Sequence, residues 1–361
     1  MNFELSEQQE HVQETYRRFL ADNYPVARMR ELHDAAEIDE LWTALAELGT
    51  TGVLVPEEFG GVGLSSLEAA LIAAELARAA APTPFLGAAV LAPVAFCKGA
   101  TSQQQQEWLP RIAGGEVRIG AALAEAYAPL KDSGVAFAGG KLNGVSLFAI
   151  DMTGADAALV ATAGERLFLV NASDPGLSVE LLTTIDRARD ISELRFENVA
   201  PLFEFEQGAL EAVMNAGRAV LAGDILGSCE RMLDMAVAYA KEREQFGRVI
   251  GSFQAVKHMC AAVAAQIEDS RALMWYAAHA LDHLPDEASK MARHAKAHVS
   301  DVGREIADVT VQVHGGIGFT YEYNLHLWYK RIGVSRELLG NSDLLREQIA
   351  ELEGFIARAA C

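Results

Sequence analysis

Two short stretches hold the side chains whose types and spacing could do chemistry. REQFGRVIGSFQAVKH, residues 243–258, sets Arg243 three residues ahead of Phe246 and next-but-three to Gly247. QVHGGIGFTYEY, residues 312–323, sets Gln312 and His314 just before Gly315 and Gly316. A guanidinium suits a diphosphate, because its planar fork donates two parallel hydrogen bonds. Paired glycines lack side chains and admit a close approach to the backbone. Each stretch also has a plainer reading, with Arg243 capping a helix end ahead of Gly247 and Gly315 serving as a helix C-cap. His314 reads as structural rather than catalytic. The cysteines Cys97, Cys229, Cys260 and Cys361 are scattered, with no CxxC and no metal-ligand spacing. They point to a reducing compartment and to no metal centre.

The elements that must position these residues follow from composition and periodicity. A chain of 361 residues, 51% hydrophobic, is long for one core and implies two or three structural units. Apolar residues recur at helical spacing through the first 116 residues, with Ser6 and Gln9 forming a capping-box signal and helices expected near 12–20 and 38–48. VPEEFGGVGLS, 55–65, reads as a loop whose Ser65 or Ser66 caps the next helix. From 117 to 205 the texture changes to short runs such as VRIGAALA, AALVAT and ELRFENV. Asn143-Gly144 is a hairpin signal there, and the segment reads as a small β-barrel or sandwich. From 206 to 361 long amphipathic stretches return, at about 208–242, 252–283, 285–312 and 341–358, with Ser252 and Pro285 as starts. The formal net charge of -20 excludes nucleic acid, which demands a basic patch, and disfavours an anionic membrane surface. No run of 18 apolar residues is present, and MNFELSEQQE carries an early acidic residue with no apolar core segment. The expected location is the cytoplasm.

This order of elements, with VPEEFGGVGLS, REQFGRVIGSFQAVKH and QVHGGIGFTYEY at their spacing, resembles the acyl-CoA dehydrogenase family over nearly the whole chain. The resemblance implies an N-terminal helical domain, a middle β-domain and a C-terminal four-helix bundle, here 1–116, 117–205 and 206–361. It also implies FAD as cofactor, oxidation of an acyl-CoA to its 2,3-enoyl-CoA, and electron delivery to an electron-transfer flavoprotein. By motif, Arg243 reaches the FAD of a neighbouring subunit and Phe246 packs against it. Gln312, Gly315 and Gly316 match the segment along the adenosine side of that cofactor.

The sequence departs from the family where the chemistry needs a proton acceptor. Removing an α-proton while hydride leaves the β-carbon calls for a carboxylate in a dry pocket. The family's commoner site for that Glu aligns with ELLGNSDLLRE, where Leu339, or Gly340 under a one-residue shift, stands instead. The alternative site aligns with Gly217 in NAGRAVLAGDILG. Asp224 lies seven residues on, roughly the same helix face but about 10 Å along the axis, and is the candidate for a displaced base; Glu211 is a weaker one. The TEPxxGSD-like stretch becomes AALAEAYAPLKDSGVAF, and the Trp-x-Thr beside the flavin becomes Phe148-Ala149-Ile150.

Losses on one side, with the neighbour-facing motifs kept, imply the catalytically incomplete subunit of a heteromeric enzyme. Assemblies of that kind occur in the family in bacterial steroid side-chain degradation. The partner would be a second acyl-CoA dehydrogenase subunit bearing the Glu. Two other readings stay open. One is a self-sufficient homo-oligomer using Asp224, and the other is a flavin-free CoA-ester-binding or structural protein.

Overall fold

The computed structural model describes residues 4–31, 35–128 and 133–356. Residues 129–132 of the shortened middle stretch and Cys361 lie outside the described residues. Helices α1 (Glu7–Asn23), α2 (Val26–Glu31), α3 (Ala35–Glu47) and α4 (Ser66–Arg78) come first, then a π-helical turn, Phe85–Leu91, that runs into α5 (Ala92–Gly99), then α6 (Ser102–Ala113). Ser6 caps α1 in the reciprocal arrangement with Gln9 that the sequence signals.

Eight strands follow: β1 (Ile119–Ala122), β2 (Gly134–Ala138), β3 (Lys141–Ile150), β4 (Ala157–Thr162), β5 (Arg166–Asn171), β6 (Leu177–Leu181), β7 (Ile191–Val199) and β8 (Phe203–Glu204). They form one sheet in the order β6-β7-β3-β1-β4-β5-β8, with β2 on β3. Pairing is antiparallel except between β1 and β4. Leu142, Ala158, Phe168, Leu194 and Val199 form the core against it.

The hairpin expected at Asn143-Gly144 turns elsewhere. Ala138 pairs with Lys141 and the turn is Gly139-Gly140, both at positive φ (58° and 81°). Two glycines take that turn with no Cβ penalty, so they displace Asn-Gly as the reversal point. Asn143 sits inside β3, where its Oδ1 accepts the backbone N–H of Asn198 at 2.8 Å. A Cβ at Gly144 would stand 1.9 Å from the Gly134 carbonyl oxygen, so that glycine serves strand contact rather than a turn.

The last segment holds α7 (Ala209–Glu242), the two-residue strands β9 (Glu244–Gln245) and β10 (Arg248–Val249), α8 (Gln254–His283), α9 (Pro285–His314), α10 (Leu325–Glu337) and α11 (Ser342–Leu352). Pro285 opens α9, where its missing N–H costs nothing. Ser252 does not start α8; its hydroxyl donates to the Val249 carbonyl and Phe253 holds the cap position. The stretch expected at 341–358 ends as a helix at Leu352. No helix among the described residues is long and apolar enough to cross a membrane.

The chain divides into two compact units. One comprises Met1–Arg30, Ala70–Ala81 and Leu221–Cys361; the other comprises Glu31–Ala69 and Pro82–Val220. The first unit packs Ile225, Cys229, Met232, Ile267, Val299, Ile306, Trp328 and Ile332 into a shared core. There α4 and α7 approach closely, since a Cβ on Gly223 or Gly227 would stand 2.4 or 2.0 Å from the carbonyls of Ala70 and Ala74.

Candidate cofactor-facing surface and base positions

Arg243 and Phe246 sit where α7 ends and reverses. The Arg243 N–H closes the helix on the Tyr239 carbonyl at 2.8 Å, and its own carbonyl accepts from Ile250. Arg248 pairs with Gln245, so Phe246-Gly247 is the whole loop of a hairpin, at φ 56° and 76°. Both central residues of such a turn need positive φ, which Gly adopts freely and Phe at a cost of about 1–2 kcal/mol. Phe246 is also 92% exposed. Its ring meets that of Phe253 edge-on at 6.2 Å, and the Arg248 guanidinium lies over the Phe253 ring at 4.0 Å. The Arg243 side chain is exposed, with no hydrogen-bond or ion-pair partner among the described residues.

The second stretch ends α9. Gln312 is exposed, while Gly315 caps the helix at φ 63°. A Cβ at Gly315 or Gly316 would meet nothing within 4 Å, so the surface there is open. His314, just before it, is buried and fixed. Its Nδ1 lies 2.7 Å from the Thr310 carbonyl, and its Nε2 lies 3.3 Å from the Tyr323 hydroxyl. A carbonyl only accepts, so Nδ1 carries a proton. Tyr239 stacks on the imidazole at 4.8 Å, and burial pushes the His314 pKa down. Packing and hydrogen bonds hold this ring in place. Ala236 and Ala240 of α7, Val313 of α9 and Ile250, Val256 and Met259 form one apolar cluster. That cluster joins the root of the hairpin to the end of α9. The residues present therefore fit one edge of an FAD site: a free guanidinium, an exposed ring and an open glycine surface.

The base positions are otherwise. Leu339 is buried at φ 57° and Gly340 follows at 108°. The fully buried Lys296 holds this loop, its ammonium donating to the carbonyls of Arg336 (2.9 Å) and Gly340 (3.3 Å) and to Ser300 Oγ. Gly217 is buried within α7. Asp224, in the first unit, is 4% exposed and occupied. Its carboxylate accepts from Arg331 Nη2 at 2.7 Å, Arg331 Nε at 3.0 Å and Ser335 Oγ at 2.9 Å. Arg331 Nη1 donates to the Ala81 carbonyl at 3.0 Å. Arg331 was not singled out in the sequence, because 107 residues separate it from Asp224 and nothing local marks the pair. Glu211 is exposed.

In the second unit Phe148 is 43% exposed at φ 56°, pushed outward by a register shift between the pairs Ser146–Leu194 and Ala149–Ser192. Among the described residues no group of three or more His, Cys, Asp or Glu side chains could hold a metal ion.

Comparison with known proteins agrees with this geometry. Residues 6–116 match the family described as acyl-CoA dehydrogenase, N-terminal domain, and residues 207–353 match acyl-CoA dehydrogenase, C-terminal domain. The chain is 31% identical over 319 residues to the acyl-CoA dehydrogenase IpdE2 of Mycobacterium tuberculosis, covering 88% of this chain and 87% of that one. It is 28% identical over 381 residues to the acryloyl-CoA reductase (NADH) of Anaerotignum propionicum, covering 97% and 95%. Among solved structures, a chain of a Tcur3481-Tcur3483 steroid ACAD variant superposes with a TM-score of 0.88 at 30% identity, over 97% of this chain and 98% of that one. A chain of the ChsE4-ChsE5 complex from Mycobacterium tuberculosis superposes with a TM-score of 0.86 at 26% identity, over 99% and 100%. Sequence motifs, a helical–β–helical fold and these likenesses together make the chain a member of the acyl-CoA dehydrogenase family.

Proposed function

We propose that this chain is the base-lacking subunit of a heteromeric, FAD-dependent acyl-CoA dehydrogenase, and that it completes the flavin site of a partner subunit. One observation carries the reading. The groups suited to a flavin dinucleotide, Arg243, Phe246, Gln312, Gly315 and Gly316, face outward, while the three positions at which a base was sought hold Gly217, Leu339 or Gly340, and an ion-paired Asp224. FAD, when bound, would supply the hydride acceptor. Arg243 would neutralise its diphosphate, Phe246 would cover an apolar face, and the bare backbone at Gly315–Gly316 would admit the adenosine side. The partner would supply the Glu that removes the α-proton. An electron-transfer flavoprotein would collect the electrons, in the cytoplasm.

The names of two structural relatives favour a heteromer with a steroid-like acyl-CoA, one being a steroid ACAD of two named components and the other a two-component complex. The reading of Asp224 as a displaced base is disfavoured by its geometry. A carboxylate that accepts a bidentate guanidinium and a hydroxyl is held ionised, and its lone pairs are committed. The test is co-expression with a Glu-bearing family member, followed by flavin stoichiometry and turnover with a panel of steroid and fatty acyl-CoAs. Flavin and turnover in the complex but not in the isolated chain support the proposal. Turnover by the isolated chain refutes it, and a colourless complex favours the flavin-free reading.

A further inference from the structure

The second unit holds a cavity of about 340 Å³ that the proposed function does not use. At roughly 30 Å³ for each water molecule it has room for about eleven waters, or for a ligand of about as many non-hydrogen atoms. Its walls are mainly apolar: Ile38 of α3, Pro82 and Pro84 ahead of the Phe85–Leu91 turn, and Leu181 and Leu182 where β6 ends. Leu181 is 62% exposed, so the cavity opens to solvent on that side. Asp151, the residue after β3, lines it as well and is 3% exposed. The Asp151 backbone is pinned at φ 58°, its N–H donating to the Asp190 carbonyl at 3.2 Å. Asp tolerates that left-handed conformation better than most side chains. The Gly87 N–H donates to Asp151 Oδ2 at 2.7 Å, and Oδ1 takes no hydrogen bond from the described residues. A buried carboxyl oxygen without a donor costs free energy that a ligand O–H would recover.

The other charges of the lining are matched among themselves. Arg118 pairs with Asp39 at 2.8 Å. The Asp190 carboxylate accepts the Thr153 N–H and the Ser192 hydroxyl, and Asp186 Oδ1 accepts the Ala188 N–H at 3.0 Å. The guanidinium groups of Arg118, Arg187 and Arg189 thus face the carboxylates of Asp39, Asp186 and Asp190 in equal number. Burial pushes the Asp151 carboxyl up to about 7, against the pull of the Gly87 N–H and with Asp190 adding to it, so at pH 6 it contributes little charge. A ligand of either charge would find no unmatched counter-charge here, and desolvating it would go uncompensated.

We infer that this cavity is a binding site for a neutral, compact, apolar alcohol, whose hydroxyl donates to Asp151 Oδ1 while its hydrocarbon body packs on Ile38, Pro82, Pro84 and Leu182. Removal of the hydrocarbon from water drives the binding, and the one hydrogen bond at the buried end fixes the orientation. The site is independent of the flavin reading. Its lining belongs wholly to the second unit, whereas Arg243, Phe246, Gln312, Gly315 and Gly316 belong to the first.

The test uses the full-length chain, titrated calorimetrically at pH 6 with probes that share one rigid cage: 1-adamantanol, 1-fluoroadamantane, 1-adamantanamine and 1-adamantanecarboxylic acid. The alcohol is expected to bind with a Kd on the order of 100 µM, an ordinary value for about eleven non-hydrogen atoms. The fluoride, of the same shape but with no O–H, is expected to bind about fivefold more weakly or worse, the effect of one hydrogen bond. The cationic amine and the anionic acid are expected to bind about tenfold more weakly or worse. Asp151→Leu removes the acceptor and is expected to cost the alcohol about fivefold or more. Ala188→Trp, which fills the cavity from the β6–β7 loop, is expected to cost about tenfold or more. No binding of the alcohol at about 1 mM, a fluoride, amine or acid that binds as tightly as the alcohol, or unchanged affinity in either variant overturns the inference. Should Asp151→Leu fail to fold, the comparison of alcohol with fluoride in the unaltered chain still decides the hydrogen bond, and Ala188→Trp still decides the place.

Discussion

Replacing Asp224 by Asn separates a structural role from a catalytic one. The side chain keeps its volume, but the carboxylate facing Arg331 Nη2 at 2.7 Å, Nε at 3.0 Å and Ser335 Oγ at 2.9 Å becomes a neutral amide. Arg331 is 3% exposed and keeps its bond to the Ala81 carbonyl, but its charge loses the carboxylate that faces it inside the core. Breaking one side of a buried pair costs about 3–5 kcal/mol, much of the roughly 5–15 kcal/mol that folded chains have to lose. The assay is urea unfolding followed by tryptophan fluorescence, for which Trp328, buried in the same unit with its Nε1–H on the Ala77 carbonyl, is a reporter. The midpoint is expected to fall with little change in slope. Asp224→Leu combined with Arg331→Met is expected to recover most of the loss, since apolar replacement of a whole pair is often neutral. A single variant within about 1 kcal/mol of the unaltered chain would refute the reasoning and return Asp224 to candidacy as a base.

Arg243→Ala is expected to weaken flavin retention in the assembled complex tenfold or more, from the loss of a contact worth about 1.5–3 kcal/mol; unchanged flavin content after gel filtration contradicts the assignment. The isolated chain is expected to show no acyl-CoA-dependent reduction of a ferrocenium acceptor, because a positioned base alone contributes about 10²–10⁴-fold. Activity in the complex is expected to survive Asp224→Asn, provided the variant folds, and to vanish when the partner's glutamate is removed. Light scattering at micromolar concentration is expected to show an oligomer built through the C-terminal helices, given the exposed Ala261, Ala262 and Ala265 on α8 and the exposed Phe246 and Phe319; a clean monomer with and without partner refutes that.

The fold was legible where local signals agree with tertiary demand. Ser6 with Gln9, Pro285 at the head of α9 and the switch from helical to strand texture near residue 117 are all local signals. The Asn143-Gly144 hairpin failed because two glycines four residues upstream made an equally tight turn, and only strand register decides between them. In the candidate site, Arg243, Phe246 and the Gly315–Gly316 pair were named by their resemblance to acyl-CoA dehydrogenase motifs. The motifs could not tell that Phe246 stands in solvent at positive φ. Asp224 illustrates the limit more sharply. Its helix-face position is readable, but the guanidinium that occupies it comes from α10.

The Phe246-Gly247 hairpin carries a consequence for inheritance. Asn or Gly at 246 would relieve the left-handed backbone and make the isolated chain more stable and less adhesive. A large ring held there gives its own chain little packing beyond its edge contact with Phe253, because 92% of its surface is exposed. Drift acting on this gene alone would therefore remove it. On the proposed heteromeric reading the benefit of the ring falls to another polypeptide, so the two genes would be expected to travel, be expressed and be lost together, and a genome that kept only this one should show position 246 eroding first.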